Sequence, residues 1–159
     1  MYQYKIMFVC HGNICRSPMA EIVFKNMLQE HSLTEKVYVC SSATSTEEIV
    51  CGIGNPVYPP AVRELKKHGL EAGDKRAVQL KKTDYTNYDI FIVMDENNMR
   101  NALRIFGLDP DNKLVRMMDF TTRGGNVADP WYTGDFSTTY RDIYDACLGL
   151  LDFILERVN

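Results

Sequence analysis

The chain has 159 residues, of which 45% are apolar and 25% are charged, an ordinary mixture for one soluble globular domain. The net charge is −3, whereas a general nucleic-acid-binding protein is usually basic. Uninterrupted apolar runs reach about five residues, far fewer than the roughly 20 that cross a bilayer. The N-terminus lacks the pattern of a signal peptide. We therefore expect a single cytoplasmic domain, residues 1–159, with neither nucleic-acid nor membrane partners.

The apolar pattern alternates between strand-like and helical periods. In chain order it predicts strand Lys5–Val9, a helix from Ser17 to about Glu30, strand Lys36–Ser41, loop Thr44–Pro60, helix Ala61–Lys67, short strand Ala77–Leu80, strand Ile90–Met94, helix Asp95–Phe106, strand Leu114–Met117, loop Asp119–Gly134 and a last helix spanning Tyr140 to Val158. In the first helix we expect Ser17 to be the N-cap and Pro18 to lie in the first turn. The alternation indicates an α/β fold in which helices cover both faces of a parallel sheet.

Five cysteines, at positions 10, 15, 40, 51 and 147, suggest free thiols rather than a disulfide framework. Their number is odd, and no secretion signal precedes them. Their spacing also fails to provide the paired Cys or His ligands of a structural zinc site, so we expect no metal. Cys40 and Cys147 lie at apolar positions of a predicted strand and helix, which favours packing in the core.

The loop after the first predicted strand is the most informative segment. It reads Cys10-His11-Gly12-Asn13-Ile14-Cys15-Arg16-Ser17, a C-x5-R-S pattern. A helix start presents unpaired N–H groups that attract anions, and a short loop can curl until successive N–H groups face one centre. Gly12 and Asn13 tolerate left-handed backbone, Arg16 can grip two phosphate oxygens, and the surrounding dipoles favour a thiolate at Cys10. The spacing alone is common by chance, but its place between an apolar strand and a Ser-Pro helix start favours a phosphate-binding loop with a nucleophile.

Chemistry at such a loop also needs an acid, because attack by a thiolate expels an alkoxide or phenoxide that must be protonated. The long polar loop offers Asp119 and Asp129. Asp129 precedes Pro130-Trp131-Tyr132, and the two aromatic side chains can wall a slot for an aryl phosphate. From the residues alone, an ordinary Asp-Pro turn whose aromatics cap the last helix is an equally good interpretation.

Together, the segment Val9–Pro18 and the segment Asp129–Tyr132 resemble the low-molecular-weight protein tyrosine phosphatase family. Ser41–Ser45, Gly54–Pro56 and Met94–Asn98 also lie where that family has similar sequence, so the likeness covers nearly the whole chain. It implies one three-layer domain, with a four-stranded parallel sheet, helices on both faces and the phosphate-binding loop after strand 1. It also implies hydrolysis of phosphotyrosine in proteins without a cofactor or metal.

The resemblance implies a role for each site residue. Cys10 would attack phosphorus to give a phosphocysteine, Arg16 would hold the phosphate oxygens, and Asp129 would be the general acid and then the general base. Ser17 would donate to the sulfur and Asn13 would hold the curl of the loop. His11, Gly12, Ile14 and Cys15 would complete the loop, and Trp131 and Tyr132 would line the substrate pocket. Cys15 would also trap oxidised Cys10 as a disulfide, although a buried filler is an equally good interpretation of it.

The chain departs from the family pattern at two places. A histidine in an H-x-A-R-Q-like stretch often braces the Asn and Ser of the phosphate loop, but the corresponding stretch here, Lys75–Gln79, contains none. The loop Thr46–Ile53 looks longer than usual, and it carries Glu47 and Glu48 where relatives often place a pocket aromatic. These departures bear on the orientation of Ser17 and on substrate preference.

Three alternative functions follow from the same loop. Thioredoxin-coupled arsenate reductases relay electrons through two further mid-chain cysteines, and this chain has no cysteine between Gly52 and Ala146. Phosphoarginine-hydrolysing relatives carry threonine at the position of Ile14, whose apolar side chain favours an aryl phosphate. A catalytically silent phosphoprotein-binding module would need neither a nucleophile nor an acid, so the presence of Cys10 and Asp129 together with Arg16 argues against it. We therefore expect a tyrosine-phosphorylated protein as the substrate, and a monomer or weak homo-oligomer.

Overall fold

The fold is built on one parallel sheet, and helices alternate with its strands along the chain. The computed structural model describes residues 1–159. The strands are β1 Tyr4–Cys10, β2 Val37–Ala43, β3 Ile49–Val50, β4 Ile53–Gly54, β5 Ile90–Val93 and β6 Leu114–Arg116. The α-helices are α1 Arg16–Glu30, α2 Pro59–Lys67, α3 Glu96–Phe106, α4 Pro130–Thr133 and α5 Phe136–Leu155, with 3-10 helices at Lys82–Thr86 and Met117–Phe120. The main sheet has the order β2-β1-β5-β6 with all pairs parallel, and β3 and β4 form a separate antiparallel hairpin.

Both faces of the sheet are covered, because successive residues of β1 point to opposite sides. Ile6 and Phe8 belong to the larger core, which α1 and α5 complete. Met7 and Val9 belong to a smaller core on the other face, where Phe106 of α3 packs. This three-layer arrangement confirms the predicted fold class, a four-stranded parallel sheet with helices on both faces.

The strand order places the predicted site in a crevice at the carboxyl ends of the strands. From β1 the chain passes through α1 to β2 on one side, whereas β5 pairs with the other side of β1. The segments that follow β1 and β5 therefore face each other at the carboxyl ends of the strands, where open α/β sheets bind their ligands. This topology brings the loop after Cys10 next to Asp95, which follows β5.

Two sequence predictions about local structure are wrong. Ser17 is not the N-cap of α1, because the helix begins at Arg16 and Cys15 occupies the cap without a side-chain hydrogen bond. The hydroxyl of Ser17 is instead committed to Cys10 and Asn13. Residues 77–80 form an isolated bridge rather than a strand, since their backbone hydrogen bonds to β2 all involve Ala43.

The two long loops contain structure of their own. The β3–β4 hairpin lies within residues 44–60, and α4 lies within residues 119–134. Cys147 is fully buried as predicted, whereas Cys40 is only partly buried at the sheet edge. No helix combines the length and apolarity required to span a bilayer.

Gly149 is required where α5 crosses the 3-10 helix Met117–Phe120. A Cβ atom at Gly149 would lie 2.0 Å from the backbone oxygen of Phe120. We expect Gly149→Ala to lower the free energy of unfolding by about 1–2 kcal/mol, because overpacking outweighs the gain of about 1 kcal/mol in helix propensity. Denaturant unfolding measures this change. Leu148→Ala, at a 44% exposed neighbouring position, is the control, and increased stability of Gly149→Ala would contradict the prediction.

Candidate active site

The loop after β1 curls around the sulfur of Cys10. The backbone N–H of Asn13 donates a hydrogen bond to Cys10 Sγ (3.3 Å), and Ser17 Oγ lies 2.9 Å from the same sulfur. Asn13 has a φ of 58°, in the left-handed region that asparagine tolerates better than most residues. The sulfur is thus nearly enclosed, since Cys10 is 3% exposed, and it faces polar hydrogens that stabilise negative charge.

The side-chain amide of Asn13 fixes the direction of these hydrogen bonds. Its Nδ2 donates to Ser17 Oγ (2.7 Å) and to Ser41 Oγ (2.9 Å), and its Oδ1 accepts from the N–H of Val78 (3.0 Å). Val78 N–H can only donate, so it identifies which end of the amide is oxygen. Because Ser17 Oγ accepts from Asn13, its own hydrogen is free to point at Cys10.

A buried carboxylate, that of Glu21, stands behind this brace. Ser41 Oγ donates to Glu21 Oε1 (2.6 Å), and Glu21 is 6% exposed. Lys25 and Lys75 both approach Glu21, at 2.6 and 3.5 Å. Lys75 Nζ also donates to the backbone oxygen of Ser41 (3.1 Å). In this chain a serine, a glutamate and lysine partners therefore hold Asn13 in orientation.

Arg16 is buried at the base of the cavity with its guanidinium held by fixed acceptors. Nη1 donates to Asp95 Oδ2 (2.7 Å) and to the backbone oxygen of Val127 (2.9 Å), and Nη2 donates to Asp129 Oδ2 (3.4 Å). Burial opposes the charge, but negative charge on Cys10, Asp95 and Asp129 raises the pKa of Arg16 above its ordinary value. The guanidinium therefore stays a cation beside the sulfur.

Asp129 lies at the start of α4, between Arg16 and an aromatic wall. Its Oδ1 accepts from the N–H of Trp131 (3.0 Å), which makes Asp129 the N-cap of that short helix. The Trp131 ring packs against Tyr58 with 4.9 Å between ring centroids. Trp131 and Tyr132 remain 54% and 84% exposed, so both offer aromatic surface at the mouth of the cavity.

The predicted site residues meet in one cavity of about 120 Å³. Its lining consists of Cys10, His11, Gly12, Asn13, Ile14, Cys15, Arg16, Glu47, Glu48, Asp129, Trp131 and Tyr132. Ser17 lies beneath the loop rather than in the cavity wall. A larger cavity of about 710 Å³ lies along β2, lined in part by Lys25, Lys75 and Tyr88. We place the site in the smaller cavity, because the sulfur, the guanidinium and the carboxylate meet there.

Cys15 shares the loop with Cys10 but not its environment. Burial raises the pKa of the Cys15 thiol to about 12, and the negative charge of Cys10 acts in the same direction. Cys15 packs with Ile14 and Ala77 in a small apolar cluster. All five cysteines are free thiols in the structure.

Four residues of the site were not identified from the sequence: Glu21, Ser41, Lys75 and Asp95. The sequence could have indicated Asp95 as a site residue, since it directly follows an apolar strand and therefore lies at the carboxyl edge of the sheet. Glu21 is four residues after Ser17 and so lies on the same face of α1. Lys75 begins the stretch in which family members often carry the bracing histidine, but only the tertiary fold shows that it reaches Glu21.

The brace behind Asn13 predicts the reactivity of Cys10. In Ser41→Ala the amide of Asn13 loses an acceptor, so Ser17 is oriented less firmly. We expect alkylation of Cys10 by iodoacetamide near pH 6 to slow by about fivefold, the equivalent of about 1 kcal/mol for one hydrogen bond. Exposed Cys51 is an internal reference for the reagent. An unchanged Cys10 rate in the folded variant would contradict this role of Ser41.

Cys15 is expected to be inert in the same experiment as the pH rises. A thiol whose pKa is raised to about 12 is a thiolate in roughly one molecule in a thousand at pH 9. Peptide mapping after alkylation between about pH 6 and 9 should show modification of exposed Cys51 and almost none of Cys15. Equal modification of both cysteines would show that Cys15 is not shielded.

Comparison with known proteins identifies the family. The family model described as low molecular weight phosphotyrosine protein phosphatase matches residues 5–159 of this chain. The low molecular weight protein-tyrosine-phosphatase YfkJ of Bacillus subtilis is 30% identical to this chain over 148 residues. The alignment covers 92% of each of the two chains. The crystal structure of YfkJ aligns with a TM-score of 0.90 over 96% of this chain and 95% of that one. The Gallus gallus low molecular weight phosphotyrosine protein phosphatase is 32% identical over 163 residues, 92% of this chain and 93% of the relative. These matches confirm the resemblance seen in the sequence: the chain belongs to the low molecular weight phosphotyrosine protein phosphatase family.

Proposed function

We propose that the protein hydrolyses phosphotyrosine in proteins through a phosphocysteine intermediate. Cys10 is the nucleophile, Arg16 holds the phosphate, and Asp129 is the general acid and base. The observation that carries the proposal is their convergence: one cavity holds a sulfur that faces polar hydrogens, a buried guanidinium and a carboxylate 3.4 Å from that guanidinium. These are the parts that displacement at phosphorus by a thiolate requires.

In the first step, the phosphate of the substrate occupies the curled loop and Arg16 binds its oxygens. The sulfur of Cys10 attacks phosphorus, and the P–S bond forms as the P–O bond to the tyrosine breaks. The protonated carboxyl of Asp129 gives its proton to the departing phenolate oxygen. The hydrogen bond between Arg16 and Asp129 supports this role, because it holds the acid beside the group that binds phosphate.

In the second step, Asp129 takes a proton from a water molecule that attacks the phosphocysteine. The P–S bond breaks, phosphate leaves, and Cys10 is again a thiolate. The Asn13 N–H and the Ser17 hydroxyl stabilise that thiolate, both as nucleophile and as leaving group. The loop amides and Arg16 supply the positive field for both steps, so no cofactor enters the proposed reaction.

The walls of the cavity favour an aryl phosphate. Ile14 is apolar, and the exposed rings of Trp131 and Tyr132 offer faces against which a phenyl ring packs. The side chain of Ile14 itself offers no hydrogen-bond partner to a phosphoguanidinium group. We further propose that the enzyme acts in the cytoplasm, where a reducing environment keeps cysteines as thiols, and that it is a monomer or weak homo-oligomer.

Phosphate release from an aryl phosphate, with chelator present throughout, tests the mechanism. We expect Cys10→Ser to abolish turnover and Asp129→Ala to slow it by about 10²–10⁴-fold, as is typical for loss of a general acid. A better leaving group should reduce the defect of Asp129→Ala, because it needs less protonation. Asp119→Ala is the matched control, since this exposed acid lies in the same sequence loop and should leave turnover unchanged. Full activity of Cys10→Ser would exclude the mechanism.

A further inference from the structure

The rim of the catalytic cavity carries two carboxylates. Glu47 and Glu48 line it together with the phosphate-binding loop. Arg16 is the single Lys or Arg side chain in the lining, and it is 3% exposed and bound to Asp95 and Asp129. The cation of the site is therefore enclosed at the base, whereas two carboxylates stand at the mouth.

Glu48 is held in place rather than free in solvent. Its Oε2 accepts from Asn55 Nδ2 (2.7 Å), and its backbone oxygen accepts from Asn55 N–H (2.8 Å). Glu48 Cγ also lies close to Gly12 of the phosphate-binding loop, since it is 3.2 Å from the position that a Cβ atom on Gly12 would occupy. Both hydrogen-bond donors from Asn55 are neutral amides, so the negative charge of Glu48 is not compensated by a cation.

Glu47 is the more exposed of the two, with 70% of its side chain accessible. Its Oε2 lies 3.0 Å from His11 Nε2, which makes His11 its only ionisable partner. The mouth thus presents the fixed carboxylate of Glu48 and the largely exposed carboxylate of Glu47 to any chain that carries the substrate tyrosine.

We propose that this phosphatase selects phosphotyrosine flanked by lysine or arginine, with Glu48 as the principal contact and Glu47 as a second. The inference rests on the proposed function, since it concerns the peptide around the hydrolysed group. Carboxylates bind guanidinium and ammonium groups directly, and they repel acidic neighbours of the phosphotyrosine. The exposed rings of Trp131 and Tyr132 add surfaces on which the stem of a basic side chain packs.

Three phosphotyrosine peptides that differ only at the flanking positions test this selection: arginine, glutamine or glutamate on both sides. Solvent-exposed ion pairs contribute about two- to fivefold each, so we expect kcat/KM to be about tenfold higher for the arginine peptide than for the glutamate peptide. Added salt should reduce the ratio, because it screens exposed charges. Comparing peptides within one enzyme variant removes any general change in activity.

Glu48→Gln removes the charge while keeping an amide oxygen to accept from Asn55, and it should lower the arginine-to-glutamate ratio by about two- to fivefold. The double variant Glu47→Gln/Glu48→Gln should bring the ratio near one. Glu71→Gln, which removes an exposed carboxylate that does not line the cavity, is the matched control and should keep the full ratio.

Affinities of the same peptides for the Cys10→Ser variant make the two proposals separable. Failure to hydrolyse even the glutamine peptide would overturn the proposed function, while the binding ratio would still measure the selection at the rim. Equal affinities for the arginine and glutamate peptides, or a ratio that persists in the double variant, would overturn the selection by Glu47 and Glu48 and leave the phosphatase mechanism standing.

Discussion

The side-chain amide of Asn13 connects the fold to the reactive sulfur, because both of its ends are used inside the protein. Its nitrogen donates to Ser17 and Ser41, and its oxygen accepts from the backbone of Val78. A buried amide with every group paired has one orientation, and that orientation directs the Ser17 hydroxyl toward Cys10. The backbone of Asn13 meanwhile takes the left-handed conformation that closes the loop. Loss of this residue would therefore remove both the shape of the loop and its polarity.

The chain supports Asn13 with charges where the family often uses a histidine. Glu21 is buried and accepts from Ser41, and Lys75 contacts both the carboxylate and the Ser41 backbone. A buried carboxylate without cations would be costly, and Lys25 and Lys75 offset that cost for Glu21 behind the loop. The brace of Asn13 thus depends on tertiary charge pairing rather than on an imidazole.

In the two proposals, chemistry and substrate selection use different parts of the same cavity. Arg16, the proposed phosphate-binding group, is enclosed and fixed by Asp95 and Asp129. Glu47 and Glu48 belong to the hairpin region that follows β2, outside the main sheet. Substitutions at Glu47 and Glu48 change the charge at the mouth while the sulfur, the guanidinium and Asp129 stay in place on other elements. A rigid sheet edge with variable loops around it can therefore keep one reaction while changing its substrates.

The layers and the kind of loop could be predicted from the sequence, because strand and helix periods depend on neighbours in the chain. The alternation of strands and helices predicted the layers, and the segment between β1 and α1 predicted a curled loop that binds an anion. A role of Ser17 at the sulfur followed only from the family resemblance, whereas local patterns wrongly predicted that Ser17 caps α1 and that residues 77–80 form a strand. The convergence of Glu21, Ser41 and Lys75 behind Asn13 is visible only in the tertiary structure. Hydrogen bonds and ion pairs between residues distant in sequence form only when parallel strands and their crossovers bring those residues together.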